Sequence, residues 1–310
     1  MKKRGIGYAT IFYGTGYGNG FPDESRATVE LQGDGTFKVF VEVSDVGSGG
    51  LSVMWQIAAE TLKVPKELVK IISSNTSLMK DSGTAAASRQ TYNTGNAVYD
   101  GARKLRKAMD DLGNFETTSK SYKAMIKNNV EVISEGYFKA DTTIIDMETG
   151  QGNPYWPYTF GGQRVTLEVD DETGKVDVLE VVAVNDMGRV INPITAEGQV
   201  HGGISMGLGY ALMEDIETEK GVIKNTNFSS YIIPTSKDMP KMESFFVEAM
   251  EESGPYGAKG AGEPVMIPTA PAILNAIYDA VGIRITSIPV TCDKLLMLIT
   301  EKNNSRALKL

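Results

Sequence analysis

From Ala27 to Ser44 the chain reads ATVELQGDGTFKVFVEVS, two runs of alternating apolar and polar residues joined across Gly33-Asp34-Gly35. A period of two sends successive side chains to opposite faces, and glycine at the join admits the positive φ of a tight turn, so the pattern predicts an antiparallel hairpin. RVTLEVDDETGKVDVLEVVAV, from Arg164 to Val184, predicts a second hairpin with Thr173-Gly174 in its turn. Gly5 to Gly14 reads as a buried strand, VKIISS as a further strand and GYGNG, Gly16 to Gly20, as a turn. Helical spacing runs through VMWQIAAETL, through AVYDGARKLRKAM, from about Pro193 onward, and across Ile273, Ile277 and Val281 with Pro271 near the first turn. The polar, lysine-rich segment from Asp111 to Asn129 reads as a linker or surface excursion. Cys292 is expected in a buried strand, and Trp156 and Phe160 in the core, with the lining of a channel as their alternative.

Strands grouped with long helices, without a regular βαβ alternation, indicate an α+β fold with mixed sheets and packed helices. Two hairpin-then-glycine-helix units, Ala27 to Leu62 and Arg164 to Leu212, suggest an internal duplication, although no residue-level repeat stands out. The chain is accordingly divided into two α+β subdomains, residues 1–150 and 151–310.

Composition removes several chemistries. Among 310 residues, 39 acids against 31 bases give a formal charge of -8, which argues against a nucleic-acid partner. No run approaches the roughly 18 apolar residues of a membrane span, and glycines break the apolar stretch of MKKRGIGYATIFYG, so neither a membrane nor a signal peptide is expected. One cysteine, Cys292, excludes an internal disulfide and any cluster held by cysteines of this chain alone, and fits a cytoplasmic location. One histidine, His201, leaves little material for a Ser/His/Asp hydrolase or a multi-histidine metal site. His201 reads as a packed histidine.

Three glycine- or alanine-rich turns lead into helices: Gly47 to Gly50, Ala85 to Ser88 and Gly257 to Gly262. A fourth small-residue stretch is Gly198 to Gly203. Helix starts carry unpaired N–H groups, and small residues let an anion reach them, so together these turns suggest a cradle for a large polyanion. Taken singly, each also reads as helix packing, with Ser48 and Ser88 as plain N-caps. Glu263 sits between GAKGAG and Pro264, which biases it towards an extended conformation, and such a turn aims a side chain. Arg89 reads equally as a phosphate contact or as the partner of an acid.

SDVGSGG, SGTAAASRQTYNTGNAV, NDMGRVINP, EGQVHGGISMGLGYAL and GAKGAGEP occur in an order that resembles the molybdenum-binding subunit of the xanthine dehydrogenase / aldehyde oxidase family of molybdenum hydroxylases. The resemblance runs from KKRG to the KLL ending at Leu296 and is to the C-terminal half of that subunit. It implies a molybdenum–molybdopterin cofactor in its cytosine dinucleotide form, with no protein ligand to the metal. It implies as partners the first half of the molybdenum subunit, an iron–sulfur subunit and an FAD subunit.

Carried over residue by residue, the resemblance makes Glu263 the active-site glutamate and general base, in a dry pocket that raises its pKa. Gly262 becomes its neighbour at the cofactor. Gln199 resembles the glutamine that bonds the pterin, while Ala86, Ala87, Ser88 and Gln90 resemble the loop beneath the metal. Gly47 matches the first glycine of a turn whose usual glutamine is here Ser48. The implied substrate is a purine or related N-heterocycle, with an aldehyde or a nicotinate-type ring as the alternative. A cofactor-free assembly module, inactive without its partner half, is the rival from another class.

Overall fold

The computed structural model describes residues 1–18, 20–73 and 75–307, so Asn19 of the expected Gly16–Gly20 turn and Ser74 of the expected VKIISS strand lie outside the described residues. In chain order the elements are β1 (Lys2–Gly14), β2 (Glu24–Leu31), β3 (Phe37–Phe40), α1 (Gly50–Leu62), β4 (Val69–Ile72), α2 (Gly95–Leu112), α3 (Thr118–Lys127), β5 (Ile133–Lys139), β6 (Tyr158–Asp170), β7 (Val176–Asp186) and α4 (Pro193–Leu212). After them come the short pair β8 (Thr218–Glu219) and β9 (Val222–Ile223), then β10 (Lys241–Val247), α5 (Thr269–Val281) and α6 (Cys292–Ala307).

Both alternating runs form the expected antiparallel hairpins, β2–β3 and β6–β7. Alternate residues Ala27, Val29 and Leu31 of β2 meet Phe37 and Val39 of β3 on a fully buried face. Each such Val, Leu or Phe contributes roughly 1.5–3 kcal/mol by leaving water. The first sheet has the order β4-β3-β2-β5 and the second β1-β6-β7-β10. The first core gathers α1, α2 and the first sheet; the second gathers α4, α5, α6 and the second sheet. The fold is α+β. Among the described residues no helix is long and apolar enough to cross a membrane.

The two lobes repeat one plan. Each has an antiparallel hairpin, a helix, a strand parallel to the second hairpin strand, and another helix, with a fourth strand antiparallel to the first hairpin strand. A residue-level repeat accompanies it: Asn96-Ala97-Val98-Tyr99-Asp100 on α2 and Asn275-Ala276-Ile277-Tyr278-Asp279 on α5. In the first lobe a Cβ on Gly136 of β5 would strike the Ala97 carbonyl, and in the second a Cβ on Gly5 of β1 would strike that of Ala276. One residue further on, Tyr137 donates its N–H to Asp100 Oδ2 (3.1 Å) and Ile6 donates to Asp279 Oδ2 (2.9 Å). Both helices thus press on glycine and cap an edge strand.

Several expectations need correction. β1 is not buried: its outer edge lies open apart from the α5 contacts, and Gly5 and Gly7 are its buried positions. Because β1 pairs with β6 along its whole length, the N-terminal strand belongs to the second lobe, and a division at residue 150 does not separate the sheets. The 111–129 segment contains α3, started by Thr117, whose hydroxyl accepts from Lys120 N, and anchored by fully buried Met125. Cys292 opens α6 and is exposed. Phe160 is 54% exposed on the outer face of the second sheet, its ring tilted against Phe12, and Trp156 is half-buried.

Candidate functional site

α1 and α4 hold the same place in the two lobes, and their N-terminal ends meet: a Cβ on Gly49, just before α1, would strike Thr195 in the first turn of α4. A cavity of about 460 Å³ opens at this junction. Its walls are Ser48 and Gly50 at α1, the Ala85–Thr91 loop, Asn192, Gln199 and Gly202 at α4, and the segment holding Gly262 and Glu263.

Glu263 opens a 3-10 turn, Glu263–Val265, rather than an extended segment. Its carbonyl accepts from Met266 N and Ile267 N, at 3.0 and 3.2 Å, and Pro264 in the first turn has no N–H to waste. The side chain is gripped from the neighbouring loop. Ala87 N donates to Oε1 (3.0 Å) and the Ser88 hydroxyl donates to Oε2. Ser88 Oγ in turn accepts from Gly262 N (3.1 Å) and Glu263 N (3.0 Å), so one hydroxyl ties the acid and its backbone together. A Cβ on Gly260 would fall on the Ser88 carbonyl oxygen, which is why this stretch is glycine. The Glu263 side chain is exposed rather than enclosed in a dry pocket.

The loop that grips the acid is itself locked. Arg89 is 1% exposed and pairs with buried Asp23. It also donates to the carbonyls of Ser82 (3.0 Å), Thr84 (3.2 Å) and Glu24 (2.7 Å) and to Ser25 Oγ (3.0 Å). Of the two readings of Arg89, partner of an acid is the one found. This clamp holds Ala87 and Ser88 at φ 55°, a left-handed conformation that side chains resist. From the other lobe, Gly16 N donates to Ala87 O (3.0 Å), which brings the end of β1, with Tyr13, up to this loop. The phenol is pushed up to about 12, by burial first and then by the Glu263 charge.

The expected cradle of free N–H groups is largely self-satisfied. Asp45 accepts from Gly47 N (3.0 Å), Gly49 N (3.0 Å) and Leu51 N (3.1 Å), with Ser48 Oγ at 3.3 Å, and so fills the N-terminus of α1 from within. Asn192 caps α4 by accepting from Thr195 N at 3.3 Å. What remains open is space and side-chain amides: Gln90 and Gln199 line the cavity, and a Cβ on Gly198 or Gly202 would meet nothing within 4 Å.

Of the residues singled out in the sequence, Glu263, Gly262, Ser48, Ala86, Ser88, Gln90 and Gln199 line the cavity. Ala87 contributes its N–H to Glu263, and Gly47 sits outside the lining with its N–H on Asp45. His201 lies off the cavity, near Glu197 (3.9 Å). Sequence reasoning missed Tyr13, Asp45 and the buried Lys259–Asp186 pair (2.6 Å) whose lysine also lines the cavity. The Asp two residues before a glycine turn was the available signal for Asp45.

Residues 1–240 match the model of a molybdopterin cofactor-binding domain. The chain is 33% identical over 315 residues to the xanthine dehydrogenase molybdenum-binding subunit of Escherichia coli O157:H7, covering 94% of this chain and 42% of that protein. It is 31% identical to the 6-hydroxypseudooxynicotine dehydrogenase complex subunit gamma of Paenarthrobacter nicotinovorans, covering 95% of this chain and 39% of that one. The solved aldehyde oxidoreductase of Desulfovibrio gigas superposes with a TM-score of 0.89 at 32% identity, over 96% of this chain and 33% of that one. The chain therefore spans less than half the length of these relatives.

Proposed function

Because the chain belongs to the molybdopterin cofactor-binding domain family, we propose that the cavity between its lobes holds part of a molybdenum–pterin cofactor and that Glu263 is the general base of a hydroxylase built around it. The observation that carries this reading is the Glu263 carboxylate at the cavity wall, oriented through both oxygens by Ala87 N–H and the Ser88 hydroxyl.

The residues present fit the group. The open volume over Gly202 leaves room for a flat ring system against α4, and Gln90 and Gln199 offer amides to pterin donors and acceptors. The metal is taken as one carried by its pterin, with no ligand from this chain. When bound, the cofactor supplies two-electron redox chemistry that places an oxygen from water on the substrate carbon. The chain's own part is acid–base. Glu263 takes up a proton at a carboxylate oxygen while Ala87 and Ser88 keep that carboxylate aimed, and the Arg89 clamp fixes the loop that carries them.

The substrate is a purine or related N-heterocycle, with an aldehyde or nicotinate-type ring as the second class; relatives bearing both kinds of name support the pair. The cofactor is taken in its cytosine dinucleotide form. A polypeptide equivalent to the remainder of the relatives' molybdenum subunit, with iron–sulfur and FAD subunits, completes a cytoplasmic complex. Bare apolar side chains beside the cavity support that association: Val46 is 94%, Ile194 83% and Met206 62% exposed.

The test is co-expression with the neighbouring subunits, followed by metal and pterin analysis and assay. Glu263→Gln is expected to lower kcat by about a thousandfold or more with cofactor content unchanged. Turnover that survives contradicts the assigned base. A complex that assembles without metal or pterin favours the assembly-module reading.

A further inference from the structure

The charged residues lining the cavity are three bases, Arg89, Arg189 and Lys259, and one acid, Glu263, a positive balance in a chain whose formal charge is -8. Two of the bases are neutralised within the protein. Arg89 is closed by Asp23 and by the Ser82, Thr84, Glu24 and Ser25 oxygens, and Lys259 donates to Asp186 Oδ2 (2.6 Å) and to the Tyr158 carbonyl (3.1 Å). Arg189 is different: it is exposed, and among the described residues its side chain has no hydrogen-bond or ion-pair partner. Glu248 comes to the same turn, but its Oε1 accepts from Val190 N (3.0 Å) and it forms no ion pair with Arg189.

Backbone contacts, not the side chain, hold Arg189 in place. Asp186 Oδ1 accepts from Gly188 N (2.9 Å) and Gly257 O accepts from Arg189 N (2.8 Å), which ties the turn between β7 and α4 to the segment leading to Glu263. The acid itself lies further along α4. A Cβ on Gly203 would strike Val265 and Met266 N, next to Glu263, and at roughly 1.5 Å per residue that contact is about 15 Å from the start of α4, which follows Arg189 in the chain. A ligand lying along α4 therefore meets a carboxylate towards one end and an unpaired guanidinium towards the other.

Resting on the reading of this cavity as a pterin-cofactor site, we propose that Arg189 binds the phosphate end of that cofactor and so sets which way round it lies between the lobes. A guanidinium keeps its charge at every working pH and offers parallel N–H groups in a fork that matches two phosphate oxygens. The start of α4 adds the positive end of its dipole. A phosphate at this end also stays clear of the Glu263 charge, while the neutral amides of Gln90 and Gln199 are left for the uncharged ring.

The first test is calorimetric titration of the full chain with inorganic diphosphate at low ionic strength. Arg189→Gln removes no contact the fold uses, so its melting temperature should be unchanged while diphosphate affinity falls about tenfold. Arg189→Lys keeps the charge without the fork and should fall between the two. Arg103→Gln, on an exposed face of α2, should bind as the parent chain does. The second test is the pterin content of the co-expressed complex after desalting, which Arg189→Gln should lower. Diphosphate that binds Arg189→Gln as tightly as the parent chain, that binds neither, or that is weakened equally by Arg103→Gln overturns the proposal. Weakened diphosphate binding with undiminished pterin assigns Arg189 to free phosphate and overturns its role toward the cofactor. In each of these cases a parent complex that carries pterin leaves the cofactor reading standing, whereas a parent complex without pterin removes that reading and this proposal with it.

Discussion

At the scale of single residues, the site depends on backbone shapes that most side chains resist. Ala87 carries a left-handed φ of 55° for no side-chain purpose, since its role is an N–H on Glu263. Ala87→Gly should therefore keep the contact and stabilise the chain by up to about 1 kcal/mol, less the entropy glycine adds to the unfolded state. Gly260→Ala drives a methyl into the Ser88 carbonyl and should cost about 2–3 kcal/mol while separating the two loops. Chemical denaturation of both variants checks the pair, and a destabilised Ala87→Gly contradicts the assignment of strain. Glu263 was legible in the sequence because a carboxylate between glycines and a proline is locally conspicuous. Tyr13 was not, because no local pattern reveals that the first strand ends against a loop of the other lobe.

At the scale of elements, the hairpins and the amphipathic helices were readable from period alone, and the internal duplication from their order. Its residue-level form was hidden because the matching pentapeptides sit on the second helix of each unit, outside the hairpin-helix segments compared. Gly5→Ala and Gly136→Ala should each cost about 1–3 kcal/mol, equal penalties at equivalent places; a large cost at one and none at the other contradicts the equivalence of the lobes. Of the two readings left open for the helix starts, the internal cap holds at α1, where a short loop returns its own carboxylate, Asp45. Burial acts to raise the pKa of Asp45, but the N–H groups of Leu51, Gly49 and Gly47 and the Ser48 hydroxyl outweigh it and hold the carboxyl below its usual range. A folded-state value below the unfolded one means the stabilisation is fully present above about pH 4 and is lost as pH falls through the folded value. Asp45→Ala should cost about 1 kcal/mol at neutral pH, the gap narrowing in acid. A gap constant from neutrality to strong acid contradicts this account of the cap.

At the scale of the whole molecule, two copies of one plan set the N-terminal ends of α1 and α4 against each other, and the cavity is what their junction leaves open. Glu263 is exposed there, and the outer face of the second sheet carries exposed Tyr8, Phe12, Phe160 and Phe245. The composition told of a globular, acidic chain, while the exposure of Glu263 and of this aromatic face shows only in three dimensions. The most direct measurement of the central claim is the pterin and molybdenum content of the co-expressed complex with Gly202→Leu. A Cβ there meets nothing within 4 Å, so the helix accepts leucine while the side chain fills the cavity. Loss of both pterin and molybdenum from a complex that still assembles is the predicted result; full cofactor content in that variant would contradict the placement of the cofactor between the lobes.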